Sequence, residues 1–182
     1  STSSAFAENR EAMLALVEQL HAAEGRARAT SALSADRFAK RGQLLPRDRL
    51  DRVLDPGAPD PELANVAGYL TDTDDPDASV PGGSVLTGIG FIGGTRCMVV
   101  VNDSGIGAGA VTAAGGAKTL RAQAIALENR LPYVSLVESA GANLLEYRVE
   151  GWSAGGRFFA NYAKLSAAGI PTVTVLHGSS TA

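Results

Sequence analysis

Two glycine-bearing segments lie beside one apolar strand pattern, and they constrain the fold of this chain more than any other sequence feature. The first segment is Asn102–Ala110, and the second is Glu138–Leu144, which follows the apolar run Tyr133–Val137. Residues with little or no side chain allow a ligand to come close to main-chain N–H groups. The two segments therefore predict a site in which backbone amides meet an acyl thioester oxygen or a phosphate.

The elements around these segments follow the order of an α/β protein. A Gly-Gly pair between two strand patterns is typical of a hairpin, and helices then alternate with apolar strands of the kind buried on both faces. In chain order we predict strands Val85–Phe91 and Thr95–Asn102, helix Ala117–Asn129, strand Tyr133–Val137, helix Gly156–Ala168 and strand Thr172–Leu176. The last two strands are expected to be parallel neighbours. Ligands of such sheets gather at the carboxyl ends of the strands, here Glu138–Leu144 and His177–Ala182.

The residues before the hairpin predict helices and then a loop-rich connection. Ser3 or Ser4 caps a helix that runs to about Ala23, and shorter helices are predicted at Ala35–Arg41 and Pro46–Leu54. Prolines and a run of aspartates then favour loop structure. These patterns divide the chain into a helical arm at residues 1–57, a connection at residues 58–83 and an α/β part at residues 84–182.

The balance of charge argues against nucleic acid and against an anionic membrane as partners. The 182 residues carry 16 basic and 19 acidic side chains, a net charge of −3. No apolar run approaches the ~20 residues of a membrane span, and no secretory signal is recognised. The single cysteine, Cys97, lies in a strand pattern and is expected to be a small buried side chain, which fits a reducing compartment. We therefore expect a cytoplasmic protein.

Basic residues are concentrated in one short segment. They are Arg37, Lys40, Arg41, Arg47, Arg49 and Arg52. The segment admits two interpretations, a contact surface for an anionic cofactor or a solvated helix face. The interleaved aspartates favour the solvated face.

Seven motifs spread through the chain share a single resemblance. They are Arg41–Asp51, Leu54–Gly57, Pro81–Gly83, Thr87–Gly90, Val101–Asp103, Leu120–Pro132 and Gly169–Pro171. In this order they resemble the carboxyltransferase β subunits of biotin-dependent acyl-CoA carboxylases, nearest to the methylcrotonyl-CoA and geranyl-CoA type. The resemblance implies a crotonase-like α/β fold, a spiral of ββα units that is incomplete in this chain. Residues 84–182 would then be the first half of an acyl-CoA-binding domain.

The resemblance also implies where the substrate binds. The loop after strand Tyr133–Val137 would offer a backbone amide near Gly141 or Ala142 to the thioester enolate, and a second amide pair would follow the motif Gly178–Ala182. The implied catalytic residues are Gly141, Ala142 and Ala182. The implied substrate-binding residues are Gly107, Ala108, Gly109, Lys118, Arg121, Ser139, Ala140, Gly178 and Ser179.

Three positions depart from the family's pattern at the same site. Gly107 replaces a family lysine, Ala117-Lys118 stands where the family has two lysines, and Ala140 replaces a glycine. The methyl group of Ala140 is expected to disfavour a positive φ. Scaffold motifs thus persist while site loops differ, which indicates an altered substrate or altered chemistry.

The leading functional hypothesis from this resemblance is carboxyl transfer. An acyl-CoA would form an enolate held by backbone amides and would receive a carboxyl group from biotin on a partner carrier protein. One alternative is a biotin-independent relative that catalyses decarboxylation, hydrolysis or acyl transfer in specialised metabolism. Another is a non-catalytic assembly subunit. The implied partners are homologous subunits of an oligomer, a biotin carboxylase or biotin carrier subunit, and a second polypeptide or C-terminal half that completes the fold after Ala182.

Other polar residues near the strand ends favour structural roles. His177 is predicted to be a hydrogen-bonded structural imidazole rather than a general base, and Glu138 is predicted to be a structural carboxylate. Ser179, Ser180 and Thr181 are expected at a turn and helix cap, because the spacing of a nucleophile elbow is absent. No cluster of His, Cys, Asp and Glu has the spacing of metal ligands.

Overall fold

The computed structural model describes residues 3–142 and 149–181. Within this part of the chain, four strands form one sheet in the order β1-β2-β3-β4. The helices are α1 (Ser4–Ala32), α2 (Ala35–Lys40), α3 (Pro46–Val53), α4 (Ala113–Asn129) and α5 (Val149–Ala167), and the strands are β1 (Val85–Ile92), β2 (Thr95–Asn102), β3 (Tyr133–Ser139) and β4 (Thr172–Ser180). None of the described helices combines the length and apolar character needed to cross a bilayer.

A glycine pair closes the hairpin of β1 and β2. The two strands pair antiparallel along their whole length, which confirms the predicted hairpin. Gly93 and Gly94 have φ angles of 57° and 75°, as a two-residue type I′ turn requires. The Asp55 carboxylate accepts both of their N–H groups, at 2.8 and 2.7 Å. The segment after α3 therefore anchors the hairpin turn.

Strands β2, β3 and β4 run parallel and are joined by helices α4 and α5. Val99 of β2 lies opposite Val134 of β3, and Val134 lies opposite Val173 of β4. This confirms the prediction that the last two strands are parallel neighbours. The segments that leave β2 and β3 consequently emerge at the same edge of the sheet.

The alternation of side chains along the strands divides the core into two layers. The layer between the sheet and helices α4 and α5 contains Val85, Met98, Val100, Ala122, Ala126, Leu131, Tyr133, Leu165 and Ile170. The opposite layer contains Leu86, Cys97, Val99, Val101, Val134 and Leu136, and the α3 residues Leu50 and Val53 pack against it. Cys97 is buried, as predicted.

Helix α1 continues to Ala32, well beyond the predicted end near Ala23. Its start is as predicted, because Ser3 Oγ accepts the Phe6 N–H at 3.2 Å. Near its carboxyl end, Ser31 is buried and its hydroxyl donates to Asp103 at 2.6 Å. Tertiary contacts therefore hold the helix past the residues at which the apolar periodicity stops.

Helix α4 begins at Ala113 rather than at the predicted Ala117. Thr112 caps it, with Oγ1 accepting the Gly115 N–H at 3.0 Å. Gly115 lies against the backbone of Gly83, which occupies the space that a Cβ would need. The close approach of the two backbones therefore accounts for glycine at this helical position.

Strand β4 continues through Ser180 instead of ending at Leu176. The register between β3 and β4 shifts after Val137 and Leu176: the single β3 residue Glu138 lies opposite the three β4 residues 177–179, and Ser139 then pairs with Ser180. The prediction of a turn and helix cap at Ser179 and Ser180 is therefore wrong. Pairing with β3 outweighs the weak strand preference of these small polar residues.

Three of the clustered basic residues have internal partners. Arg37 Nη2 donates to Ser104 O at 2.8 Å, Arg47 Nη1 lies 2.9 Å from Glu62 Oε2, and Arg49 is 4% exposed. The favoured interpretation of a solvated helix face is wrong for these three side chains. They connect helices α2 and α3 to the loops that precede β1 and follow β2.

Candidate functional site

The two glycine-bearing segments meet at the carboxyl end of β3, as the sequence predicts. Ala140 N–H donates to Ala108 O at 3.0 Å, and Val111 N–H donates to Gly141 O at 2.9 Å. Ala142 forms a parallel bridge with Val111. Backbone hydrogen bonds therefore hold the loop after β2 directly against the turn after β3.

Residues Gly107–Gly109 form a left-handed turn in the loop after β2. Their φ angles are 53°, 53° and 70°. Gly109 N–H donates to Ile106 O at 2.9 Å, and Ala110 N–H donates to Gly107 O at 3.0 Å. A left-handed conformation costs a residue with a Cβ roughly 1–2 kcal/mol. Ala108 therefore carries backbone strain at the candidate site.

The two glycines of this turn meet different surroundings. A Cβ on Gly109 would lie 2.5 Å from the Glu138 carbonyl oxygen, which no real contact allows, whereas a Cβ on Gly107 would meet open space. Gly109 is thus required for the loop to approach β3. Gly107 leaves an unfilled position where the resemblance implies a lysine.

The turn after β3 has its positive φ at Gly141, with a value of 83°, and not at Ala140. The expected conflict between the Ala140 methyl group and a positive φ is therefore absent. Gly141 N–H donates to Ser139 Oγ at 3.0 Å, a local bond typical of serine turns. Ala142 is exposed, and its N–H has no hydrogen-bond acceptor among the described residues.

The end of β4 lies beside the same turn. Thr181 N–H donates to Ser139 O at 2.9 Å, and Ser180 pairs with Ser139 across the sheet. Ser179 is exposed. Ala182 lies outside the described residues. The structure thus brings the end of the Gly178–Ala182 motif to the turn where Gly141 and Ala142 lie.

Gly178 has a packing role in this strand end. A Cβ at this position would lie 2.7 Å from both Gln43 Nε2 and Glu138 Oε1. The missing side chain lets β4 approach a polar side chain of β3 and another from the segment between α2 and α3. Close packing alone therefore accounts for glycine at this position.

A buried ion pair lies next to Gly178. Glu138 Oε2 is 3.3 Å from Arg49 Nη2, and the two side chains are 9% and 4% exposed. Burial lowers the pKa of Arg49, while the charges of Glu138 and Asp103 raise it. This pairing agrees with the structural role predicted for Glu138.

Asp103 extends the buried polar layer toward α1. Its carboxylate accepts the Ser31 hydroxyl at 2.6 Å and the Gly105 N–H at 3.2 Å. Burial raises the pKa of Asp103, and these two hydrogen bonds oppose the shift. Ser31 and Arg49, both from the N-terminal helices, thus support the loop that carries the left-handed turn.

His177 has the hydrogen-bonded structural role that the sequence predicts. Its Nε2 accepts the Leu44 N–H at 3.0 Å. The proton of the neutral ring then lies on Nδ1. The bond ties β4 to the segment before α3, and Nε2 would have to lose this partner in order to act as a base.

Lys118 and Arg121 form no bond with the described residues of the turn after β3, 140–142. Lys118 is 4% exposed, and its Nζ donates to Val85 O at 2.6 Å. Burial lowers the pKa of Lys118 to about 8. Arg121 is exposed on α4, where its Nη1 lies 3.8 Å from Glu128. Lys118 therefore stabilises the start of β1, and Arg121 lies on the helix surface.

Sequence reasoning missed Ser31, Gln43 and Arg49 as contributors to this region. A signal exists for Arg49, because Pro46, Arg49 and Val53 recur at helical spacing and face the interior in α3. A charged side chain on an apolar stripe indicates a buried partner. Ser31 and Gln43 show no such pattern.

The ionisable side chains that the sequence places near the site have structural partners among the described residues. Glu138, His177 and Lys118 all have internal partners. No group of three or more His, Cys, Asp or Glu side chains suited to a metal ion occurs in residues 3–142 and 149–181. Within residues 3–142 and 149–181, the Ala142 N–H at the end of β3 has no acceptor. A donor fixed in this way stabilises negative charge that develops on an oxygen atom.

The fold has solved counterparts. The chain matches the β subunit of geranyl-CoA carboxylase from P. aeruginosa with a TM-score of 0.90 and 49% identity, covering 100% of this chain and 34% of that chain. It also matches transcarboxylase 12S, solved as a hexamer with methylmalonyl-coenzyme A bound, with a TM-score of 0.71 and 25% identity, covering 90% of this chain and 32% of that chain. The chain therefore has the α/β, crotonase-like fold of carboxyltransferases.

The sequence match leads to the same class of protein. Residues 37–182 match the carboxyl transferase domain, and the chain belongs to this family, as its motifs suggest. A probable biotin-dependent acyl-coenzyme A carboxylase β2 subunit of Mycobacterium tuberculosis is 43% identical over 147 residues, which cover 81% of this chain and 26% of that protein. The chain thus spans about a quarter to a third of the length of these relatives.

Proposed function

We propose that this chain forms the acyl-CoA-binding part of a biotin-dependent acyl-CoA carboxyltransferase. The observation that carries the proposal is at Ala142, an exposed residue at the carboxyl end of β3 whose N–H has no acceptor among the described residues. The bound methylmalonyl-coenzyme A in transcarboxylase 12S supports an acyl thioester as the ligand. The thioester oxygen would accept this N–H, and the bond would strengthen as negative charge develops.

Of the two amides that the resemblance implies, Ala142 is the better donor. Gly141 N–H already donates to Ser139 Oγ at 3.0 Å, and Gly141 is buried. Ala142 is exposed at the same turn. Gly141 then supplies the positive φ that turns the chain, and Ala142 supplies the donor.

The proposed reaction replaces an acidic proton of the acyl-CoA by a carboxyl group, at the α carbon of a saturated acyl chain or at the γ carbon of an α,β-unsaturated chain such as 3-methylcrotonyl-CoA. The C–H electron pair moves into the enolate and then forms the new C–C bond to the carboxyl carbon. Carboxybiotin on a carrier subunit supplies the carboxyl group and the acceptor for the proton. The described residues fit a reaction in which the cofactor, and not this chain, accepts the proton, because Glu138, His177 and Lys118 are engaged in internal bonds. This chain then contributes binding and charge stabilisation.

We also propose that further polypeptide covers β4 and completes the site. Val173, Val175 and Leu176 of this strand are 49%, 47% and 66% exposed, although parallel strands are normally covered on both faces. A second polypeptide or a C-terminal half would bury them and add the second amide pair that the resemblance implies after Ala182. Homologous subunits and a biotin carboxylase or carrier subunit complete the proposed assembly, which we place in the cytoplasm.

Biotin-independent decarboxylation is the second candidate. It is favoured by Gly107, which occupies an exposed and open position where the resemblance implies a lysine. The Ala142 donor would stabilise the enolate that forms when the C–C bond to a departing CO2 breaks. Decarboxylation would use the same Ala142 N–H and would need no carboxyl donor.

Two substitutions at Ala142 test the proposed donor. Ala142→Pro removes the N–H, and Ala142→Gly keeps it at the same exposed position. In the complete enzyme, we expect A142P to lower carboxyl transfer to 3-methylcrotonyl-CoA or geranyl-CoA by ~10²–10³. A142G is expected to remain near the wild-type rate. Equal rates in A142P and wild type would contradict the proposed donor.

A parallel assay separates the candidate functions. The wild-type enzyme is incubated with the carboxylated acyl-CoA in the absence of biotin, and release of CO2 is measured. Release of CO2 without biotin supports decarboxylation. Carboxyl transfer that occurs only when biotin is present supports the carboxyltransferase. Thioester cleavage without either reaction indicates hydrolysis or acyl transfer. No turnover of any acyl-CoA supports a non-catalytic assembly subunit.

A further inference from the structure

The Ser139 hydroxyl forms two hydrogen bonds at the candidate site. Its Oγ donates to Gly109 O at 2.7 Å and accepts the Gly141 N–H at 3.0 Å. The residue is buried, with 7% exposure. Its hydroxyl proton and one of its lone pairs are therefore engaged inside the protein.

The backbone of Ser139 connects the same region to β4. Its carbonyl accepts the Thr181 N–H at 2.9 Å, and the next residue, Ala140, donates its N–H to Ala108 O at 3.0 Å. Ser139 and its neighbour thus join the left-handed turn, the turn after β3 and the end of β4. Among these bonds, only the two at Oγ depend on the side chain.

We infer that Ser139 is a positioning residue, whose hydroxyl holds the Gly141 N–H inward so that the Ala142 N–H is presented to the ligand. The inference rests on the proposed function, and it replaces the implied direct contact of Ser139 with substrate. A hydroxyl that donates to Gly109 O has no second proton to donate to a thioester. Its effect on the ligand is therefore transmitted through the Gly141–Ala142 peptide.

The bond to Gly109 also explains how the strained turn is held in place. Ala108 has a φ of 53°, a conformation that persists only where the surroundings enforce it. The Ser139 hydroxyl holds the Gly109 carbonyl, and the Ala140 N–H holds the Ala108 carbonyl, at 2.7 and 3.0 Å. Loss of the hydroxyl would leave one of these two bonds, and the turn could then shift relative to β3.

The test compares Ser139→Ala with Ser135→Ala in the complete enzyme. Ser135 is a matched control, because it lies on the same strand and is 5% exposed. The first measurement needs no ligand: hydrogen exchange of the Gly141 amide is expected to be slow in wild type and in S135A, and faster in S139A. Equally slow exchange in S139A would overturn the inference.

The second measurement uses an acyl-CoA labelled with ¹³C at the thioester carbonyl. A donor at Ala142 lowers the infrared stretching frequency of the bound carbonyl. We expect S139A to lose most of this shift and roughly 10- to 100-fold in kcat, while its KM for acyl-CoA stays close to that of S135A. A wild type without any shift contradicts the proposed function. A shift and a kcat that are unchanged in S139A contradict only the inference about Ser139.

A graded series covers the outcome in which S139A does not fold. Ser139→Cys retains a weaker donor and acceptor of similar shape, and Ser139→Thr retains the hydroxyl. The carbonyl shift is expected to be larger in S139T than in S139C. A shift in S139C equal to that of wild type would overturn the inference.

Discussion

Arg49 of α3 and Glu138 of β3 form a buried ion pair directly beneath the end of β4, with 3.3 Å between Arg49 Nη2 and Glu138 Oε2. The pair joins the N-terminal helices to the strand whose carboxyl end carries the candidate site. Because both side chains are almost fully buried, neither charge can be compensated by solvent if its partner is removed.

The ion pair leads to the first prediction. Arg49→Met is expected to lower the free energy of unfolding by about 3–5 kcal/mol, because it leaves the Glu138 carboxylate buried without its partner. The control is Arg52→Met, at an exposed position of the same helix, which is expected to have an effect within about 0.5 kcal/mol. Urea unfolding of the two variants measures the difference. A loss in R49M no larger than that in R52M would contradict a structural role for the pair.

Lys118 leads to a prediction about pH. Burial lowers its pKa from 10.5 to about 8 in the folded state. Between these values the unfolded chain binds more protons than the folded chain, so the stability contributed by this group rises as pH increases from 8 to 10.5. Over this range the free energy of unfolding increases by about 3 kcal/mol. Below pH 8 Lys118 is protonated in both the folded and the unfolded state, so this increase is absent.

The pH prediction is measured as a difference between proteins. The free energy of unfolding of wild type minus that of Lys118→Met is expected to increase between pH 8 and 10. The same difference for Lys164→Met, which removes an exposed lysine of α5, is the control. A flat difference for K118M would show that Lys118 titrates in the folded state as it does in water.

The left-handed turn leads to a comparison of two glycines. Gly107→Ala introduces only backbone strain, at a φ of 53° and in open space, and is expected to cost roughly 1–2 kcal/mol. Gly109→Ala adds a clash with the Glu138 carbonyl to the same strain, so the loss of stability is expected to be larger. Thermal melts of the two variants show which substitution lowers the melting temperature more. A G109A melting temperature equal to that of G107A would contradict the close packing of this loop against β3.

The exposure of β4 leads to a prediction about partners. When residues 1–182 are expressed by themselves, we expect association or poor solubility, because apolar side chains of β4 remain exposed. Co-expression with the part of the protein that covers β4 is expected to restore a soluble complex that binds acyl-CoA. A soluble monomer with a cooperative melt and acyl-CoA affinity would contradict the proposed completion of the fold.

Elements with local patterns could be predicted from the sequence. The hairpin at Gly93-Gly94, the Ser3 cap, helix α3 after Pro46 and the two parallel strands all follow from periodicity and turn chemistry within a few residues. The wrong boundaries are the ends of α1 and β4, the start of α4, and the start of α5, which is Val149 instead of the predicted Gly156. The first three depend on contacts with distant segments. Local sequence preference alone predicts that a helix or strand ends where its apolar periodicity or turn signal stops.

The meeting of the two glycine-bearing segments could also be predicted, because parallel strands bring their carboxyl ends to one edge. The division of roles within the site could not. Gly141 and Ala142 are adjacent and both small, and the bond from Gly141 N–H to Ser139 Oγ and the burial of Gly141 distinguish them. Likewise, Lys118 is predicted to bind substrate from its position in a motif, yet its Nζ lies against the Val85 carbonyl.

The sequence by itself determined the α/β class, through local periodicity, and the family, through motifs that resemble it along the chain. Only the tertiary structure decided that the Gly141 N–H has an internal acceptor, which arginine is buried and which residues support the loops. These properties depend on pairs such as Ser139 with Gly109, Ser31 with Asp103, and Leu44 with His177, which are 30, 72 and 133 residues apart. A hydrogen bond requires atoms within about 3 Å, and that proximity arises only when the chain has folded.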